Sequence, residues 1–177
     1  MKSKITYFVH GTTEDNLTNK CSGWKQAKLT ELGIKQAENL GRVNSDINFD
    51  VIITSDLIRA IETANIAFPD INKIQDSRLR ECNYGDLDGA DKGLIKYEEH
   101  IENEFPNGES LKEVEYRINE FIEDIKEKYK GKNIGIIAHR ATQLAFEVIT
   151  KNISWEEAIE KDWRKKGLWE PGWIYEI

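Results

Sequence analysis

Short runs of branched and aromatic residues alternate with amphipathic stretches along the chain. ITYFV (5–9), VIIT (51–54) and IGIIA (134–138) are apolar at nearly every position and bounded by polar or glycine residues. This is the pattern of strands buried on both faces. KIQD (73–76) reads as a further, shorter strand. Between the strands, the spacing predicts a helix from Thr30 through Leu32, Gln36, Ala37 and Leu40, with Gly41 as its C-terminal stop. A second helix follows Ser55 and Asp56, carries Ala60, Thr63, Ala64 and Ala67, and closes before Pro69. Over 111–129, Leu111, Val114, Ile118, Phe121, Ile122 and Ile125 recur at helical spacing behind Ser110, and Glu113 completes a capping box. Ser154 and Glu157 repeat that signature at the head of SWEEAIEKDW. Strands alternating with helices predict parallel pairing in a sheet covered on both faces.

Residues 82–109 break the rhythm with Gly85, Gly89, Gly93, Pro106 and Gly108 among many charges, and read as an insertion over one face. His100, in KYEEHIEN, is expected on an exposed helix without a chemical role. Near the C-terminus, LWEPGWIY places Trp169 and Trp173 around Pro171 and Gly172 and reads as core packing with a final strand. With no repeat or linker, residues 1–177 are expected to form a single domain with a smaller cap-like insertion around 82–109.

Composition narrows the function classes. A chain of 177 residues suits one domain that buries roughly two-thirds of its unfolded surface. Its 39% hydrophobic and 32% charged residues are ordinary for a globular protein. No apolar run approaches the roughly 20 residues of a membrane span, and MKSKITYFV lacks the pattern of a secretory leader. A cytoplasmic location is therefore expected. Cys21 and Cys82 belong to no CxxC or Cys/His cluster, so reduced thiols are expected and no metal site. A net charge of −7 argues against nucleic acid as a partner. A small anion remains compatible, provided that cations and backbone N–H groups gather locally.

The chemistry lies at the strand exits. In a parallel sheet, whatever follows each strand collects along one edge, where open α/β sheets bind ligands. Four exits deliver His10, then Ser55 and Asp56 with Arg59 one helical turn on, then Glu81, then His139. An imidazole nucleophile, a guanidinium clamp and a carboxyl proton donor make a phosphate-handling set. No member of the set is diagnostic alone; their succession at four exits is.

The ordered pieces HGTTEDN (10–16), CSGW (21–24) with LTELGIKQA (29–37), SDLIRAIETA (55–64), LRECNYGDLDG (79–89), PNGES (106–110) and IGIIAH (134–139) resemble the histidine phosphatase superfamily, in its phosphoglycerate mutase-like branch. The resemblance covers nearly the whole chain. It implies a three-layer α/β sandwich with a mostly parallel central sheet, one mixed edge, no metal and no organic cofactor. It further implies that His10 is the nucleophile and becomes phosphohistidine. Arg59, Asn16, His139 and the backbone N–H of Gly11 would hold the phosphoryl oxygens. Glu81 would protonate the leaving oxygen, Ser22 and Gly23 would touch substrate, and the partner would be a small phosphorylated molecule. Oligomeric state is left open.

One position departs from the family pattern. The motif carries an arginine immediately before the nucleophilic histidine, and here that place holds Val9, which offers neither donor nor charge. Substitution, or deletion with a one-residue slide of the strand, would each produce this. Arg140, directly after His139, is either a solvated residue at a helix start or a replacement for the missing charge. Three activities fit this pattern: a phosphomonoesterase slowed by the missing arginine, a catalytically silent phospho-ligand-binding module, and a phosphoglycerate-type mutase. The modest insertion disfavours the mutase.

Overall fold

The computed structural model describes residues 2–166 and 172–177. Trp169 and Pro171, expected in C-terminal packing, lie outside the described residues. Five strands, β1 (Lys4–Val9), β2 (Val51–Thr54), β3 (Lys73–Gln75), β4 (Asn133–Ala138) and β5 (Trp173–Glu176), form one sheet in the order β3-β2-β4-β1-β5. The first four are parallel, and β5 runs antiparallel on β1. The helices are α1 (Glu14–Leu17), α2 (Glu31–Val43), α3 (Ile58–Ala67), α4 (Leu111–Lys128), α5 (Arg140–Lys151) and α6 (Trp155–Glu160).

Side-chain alternation along the strands explains the three layers. From β1, Ile5, Tyr7 and Val9 enter the larger core with Ile134, Ile136 and Ala138 of β4 and the apolar stripes of α4 and α5. Phe8 faces the opposite way, packing with Ile52, Ile137, Leu40 of α2, and Ala60 and Ala64 of α3. Both sheet faces are thus covered, and burial of each large apolar side chain contributes roughly 1.5–3 kcal/mol.

Register positions the chemistry. Val9 of β1 stands opposite Ala138 of β4, and the His10 N–H donates to the Ala138 carbonyl at 3.2 Å. The two histidines therefore leave the sheet side by side. Thr54 of β2 pairs with Ile137, which brings Ser55 to the same edge.

Two local expectations are corrected. Gly41 does not end α2, which continues to Val43. A Cβ at Gly41 would lie 2.3 Å from the Ala67 carbonyl oxygen, so the glycine marks the close approach of α3 rather than a helix stop. His100 is not on a helix; it closes a short 3-10 turn (Tyr97–Glu99) and stacks on Phe105, with ring centroids 3.8 Å apart. The Ser110 capping box forms with both of its hydrogen bonds, and Ser154 Oγ accepts from the Glu157 N–H at 3.2 Å.

The 82–109 segment consists largely of 3-10 turns and loops laid against residues 19–22. Cys21 N–H donates to Ala90 O at 2.9 Å, and Lys92 N–H to Asn19 O at 2.9 Å. A buried hydroxyl pair, Tyr84 and Tyr97 at 2.7 Å, ties the segment together.

Candidate active site

At the C-terminal edge of β1 and β4, His10, Asn16, Cys21, Ser22, Gly23, Arg59, Glu81, Tyr84 and Arg164 line a small cleft of about 20 Å³. A larger groove of about 410 Å³ lies by α4, around Ile74, Arg78, Phe121 and Asp124. It contains neither strand-end histidine, so the smaller cleft, which His10 lines, is the candidate site; His139 does not line it.

Two hydrogen bonds fix the protonation of His10. Its Nδ1 is 2.7 Å from the Gly11 carbonyl, which can only accept, so Nδ1 carries the proton. Arg59 Nε, which can only donate, lies 3.3 Å from Nε2. Nε2 is therefore unprotonated, and its lone pair accepts from Arg59, a contact that must open before this nitrogen can bond to anything else. Burial, reinforced by the charges of Arg59 and Arg164, pushes His10 well below the usual histidine range. The ring stays neutral, as a nucleophile requires.

His139 stands beside it, ring centroids 5.1 Å apart, with Nε2 2.7 Å from Ser55 Oγ. It is fully buried, and burial, then the charge of Arg59, push it far down as well. Its Nδ1 has no hydrogen-bond partner among the described residues. Tyr7, inside the sheet, holds the His139 backbone: its hydroxyl donates to the His139 carbonyl at 2.9 Å and lies 3.2 Å from the His139 N–H.

Arg59 is 2% exposed, and each of its nitrogens is engaged: Nε with His10, Nη1 with Lys25 O at 3.0 Å, and Nη2 with Gly23 O at 2.8 Å. Glu81 occupies the N-terminus of α5. Its Oε1 accepts from the Cys82 and Ala141 N–H groups at 2.9 and 3.0 Å, and its Oε2 accepts from the Arg140 N–H at 3.3 Å. The Glu81 carbonyl is held in turn by Trp24 Nε1 at 2.8 Å and Arg117 Nη2 at 3.1 Å.

Other expected residues sort themselves around this centre. Asn16 lines the cleft while its Oδ1 caps Thr13 N–H at 3.1 Å, which leaves Nδ2 as its donor group. Ser22 lines it too, its hydroxyl donating to Asp15 Oδ2 at 2.7 Å. Gly23 has a φ of +55°, and a Cβ there would strike the Asp88 carboxylate. The Gly11 N–H, expected to hold a phosphoryl oxygen, donates instead to Thr63 Oγ1 at 3.0 Å, because α3 packs directly beneath the loop. Arg140 is not solvated, and its guanidinium is not in the cleft wall. It pairs with Asp162, with Nε 2.6 Å from Oδ2, and rests over the Tyr97 ring at 4.1 Å.

Tyr84, Cys21 and Arg164 were not legible as site residues. Tyr84 and Cys21 sit inside motifs already noted, so their position was available. Arg164 arrives after α6 on a 3-10 turn (Trp163–Lys166), and no pattern flags it.

The family model described as histidine phosphatase superfamily (branch 1) matches residues 7–159. A 2,3-bisphosphoglycerate-dependent phosphoglycerate mutase of Cytophaga hutchinsonii is 33% identical over 169 residues, covering 86% of this chain and 79% of the relative. An uncharacterized phosphatase of Bacillus subtilis, PhoE, is 32% identical over 136 residues, covering 75% of this chain and 69% of the relative. Among solved structures, Bacillus stearothermophilus YhfR superimposes with a TM-score of 0.81 at 26% identity, covering 88% of this chain and 83% of that one. The mostly parallel sheet with helices on both faces, the two strand-end histidines beside Arg59 and Glu81, and the match across residues 7–159 together make this chain a member of the histidine phosphatase superfamily, branch 1.

Proposed function

We propose that the protein hydrolyses small phosphomonoesters through a phosphohistidine on His10. The observation that carries this reading is the unprotonated Nε2 of His10, which accepts from the buried Arg59 guanidinium until substrate takes that contact, within one cleft with Glu81. In the first step Nε2 attacks phosphorus, the N–P bond forms as the ester P–O bond breaks, and Glu81 gives its proton to the leaving oxygen. In the second step Glu81 takes a proton from water, the resulting hydroxide attacks phosphorus, and the N–P bond breaks to restore the lone pair. Negative charge on the equatorial oxygens is met by Arg59 and by the Asn16 amide, the electrostatic part of phosphoryl transfer. His139, neutral and fixed through Ser55 and Tyr7, stands behind His10 with its ring centroid 5.1 Å away. With valine at position 9, one oxyanion donor is absent from its motif place. Such a loss costs about a hundred- to a thousandfold in rate.

The names of curated relatives favour a second reading, transfer of the same phosphoryl group to an acceptor hydroxyl in a mutase cycle. Hydrolysis of an aryl phosphate by the native chain and by His10→Ala tests the first reading. Turnover that disappears in His10→Ala supports it, and turnover unchanged by that substitution sinks it. Transfer to a phosphoglycerate acceptor faster than to water would favour the mutase, and phosphate binding without turnover would leave a binding module.

A further inference from the structure

We propose that Arg164 is the second guanidinium of this site and ligates the transferred phosphoryl group, in place of the arginine that position 9 does not supply. The inference rests on the phosphohistidine reading and adds a residue to it.

Three observations carry it. Every nitrogen of Arg59 already has a partner, so Arg59 shapes the cleft as much as it offers donors to an anion. Val9 does not line the cleft; its side chain is 3% exposed and packs in the larger core. Arg164 does line it, and among the described residues it is, with Asn16, one of only two in that wall that are not buried. These two therefore form the mouth. A cleft of about 20 Å³ holds little more than one water. A phosphoryl group enters by displacing a long, partly exposed side chain, and Arg164 is the one that can swing out and close again on the charge.

The backbone beneath Arg164 is built to present it. Asp162, 2% exposed, accepts from the Arg164 N–H at 3.0 Å through Oδ1, while Oδ2 is paired with Arg140. Arg140 opens α5 immediately after His139. The cationic residue beside the second histidine thus keeps its guanidinium on Asp162, outside the cleft wall, and anchors the turn that carries Arg164. The charge of Arg164 also reaches the other groups here: it adds to the downward push on the Lys92 ammonium after burial, and on His10 after burial and Arg59. A planar guanidinium suits bidentate contact with phosphoryl oxygens.

The test measures binding of inorganic phosphate and inhibition by vanadate alongside turnover, in the native chain, in Arg164→Ala and in Arg164→Lys. Arg164 is partly exposed, so both variants should fold, and a thermal melt checks this. The expected result is phosphate and vanadate binding weakened at least tenfold in Arg164→Ala, with kcat on an aryl phosphate down about a hundredfold and Arg164→Lys intermediate in both. Binding within twofold of native in a folded Arg164→Ala would overturn the assignment, as would a native chain that binds neither anion. Absence of turnover with Arg164-dependent phosphate binding would count against the hydrolytic reading and leave this one standing.

Discussion

Protons at His10 and His139 link the site to the stability of the whole chain. Both rings are buried neutral and held well below the ordinary histidine range, chiefly by desolvation and then by Arg59. In the unfolded chain they titrate near pH 6.5, about the unperturbed value. Below that pH the unfolded state binds protons that the folded state refuses, so stability is complete above the unfolded pKa and falls as pH drops. The slope approaches about 1.4 kcal/mol per pH unit for each histidine. Urea denaturation at pH 7 and pH 5 should therefore show a marked loss for the native chain and a shallower one for His139→Asn. Equal pH slopes in the two proteins would mean that His139 is protonated in the fold. The same depression leaves the His10 lone pair available in mildly acidic solution, where an ordinary histidine would be largely protonated.

At the scale of elements, the apolar pattern identified β1, β2, β4 and the long α4, because burial on both sheet faces and a capped apolar stripe leave strong traces. It misread Gly41, because a glycine that stops a helix and a glycine that admits a neighbouring helix look alike along the chain. Contact between α2 and α3 decides between them. Gly→Ala inside a helix normally stabilises by about 1 kcal/mol, but at Gly41 the added methyl would be forced onto the Ala67 carbonyl. Overpacking of that kind costs typically about 1–3 kcal/mol. Gly41→Ala is thus expected to lower the urea midpoint, and a raised midpoint would show that α3 retreats freely. The residues that hold the chemistry in place were equally silent. Tyr7 reads as one more strand residue and Arg117 as a helix-surface charge. Yet Tyr7 grips the His139 backbone, and Arg117, itself paired with Glu109, donates to the Arg80 and Glu81 carbonyls. Their partners are remote in sequence, and no local pattern encodes a bond across such a span.

For the molecule as a whole, four parallel strands with a fifth antiparallel on the edge bring distant segments to one place. The topology made His10, Arg59, Glu81 and His139 readable together, since each follows a strand and parallel strands end on the same side. Arg164 follows no strand, comes from beyond α6, and reaches the cleft only through tertiary packing. A chain of net charge −7 thus gathers Arg59 and Arg164 around one small cleft, opposing the average field where an anion must enter. Among the described residues no helix is long and apolar enough to cross a membrane. The proposed mechanism turns on one covalent event at one nitrogen. Rapid quenching of the native chain during turnover of an aryl phosphate, followed by peptide mapping, tests it most directly. The account predicts an acid-labile, alkali-stable phosphoryl group on the peptide containing His10, absent from His10→Ala. Turnover with no phosphoryl group on His10, or with the label on another residue, would contradict it.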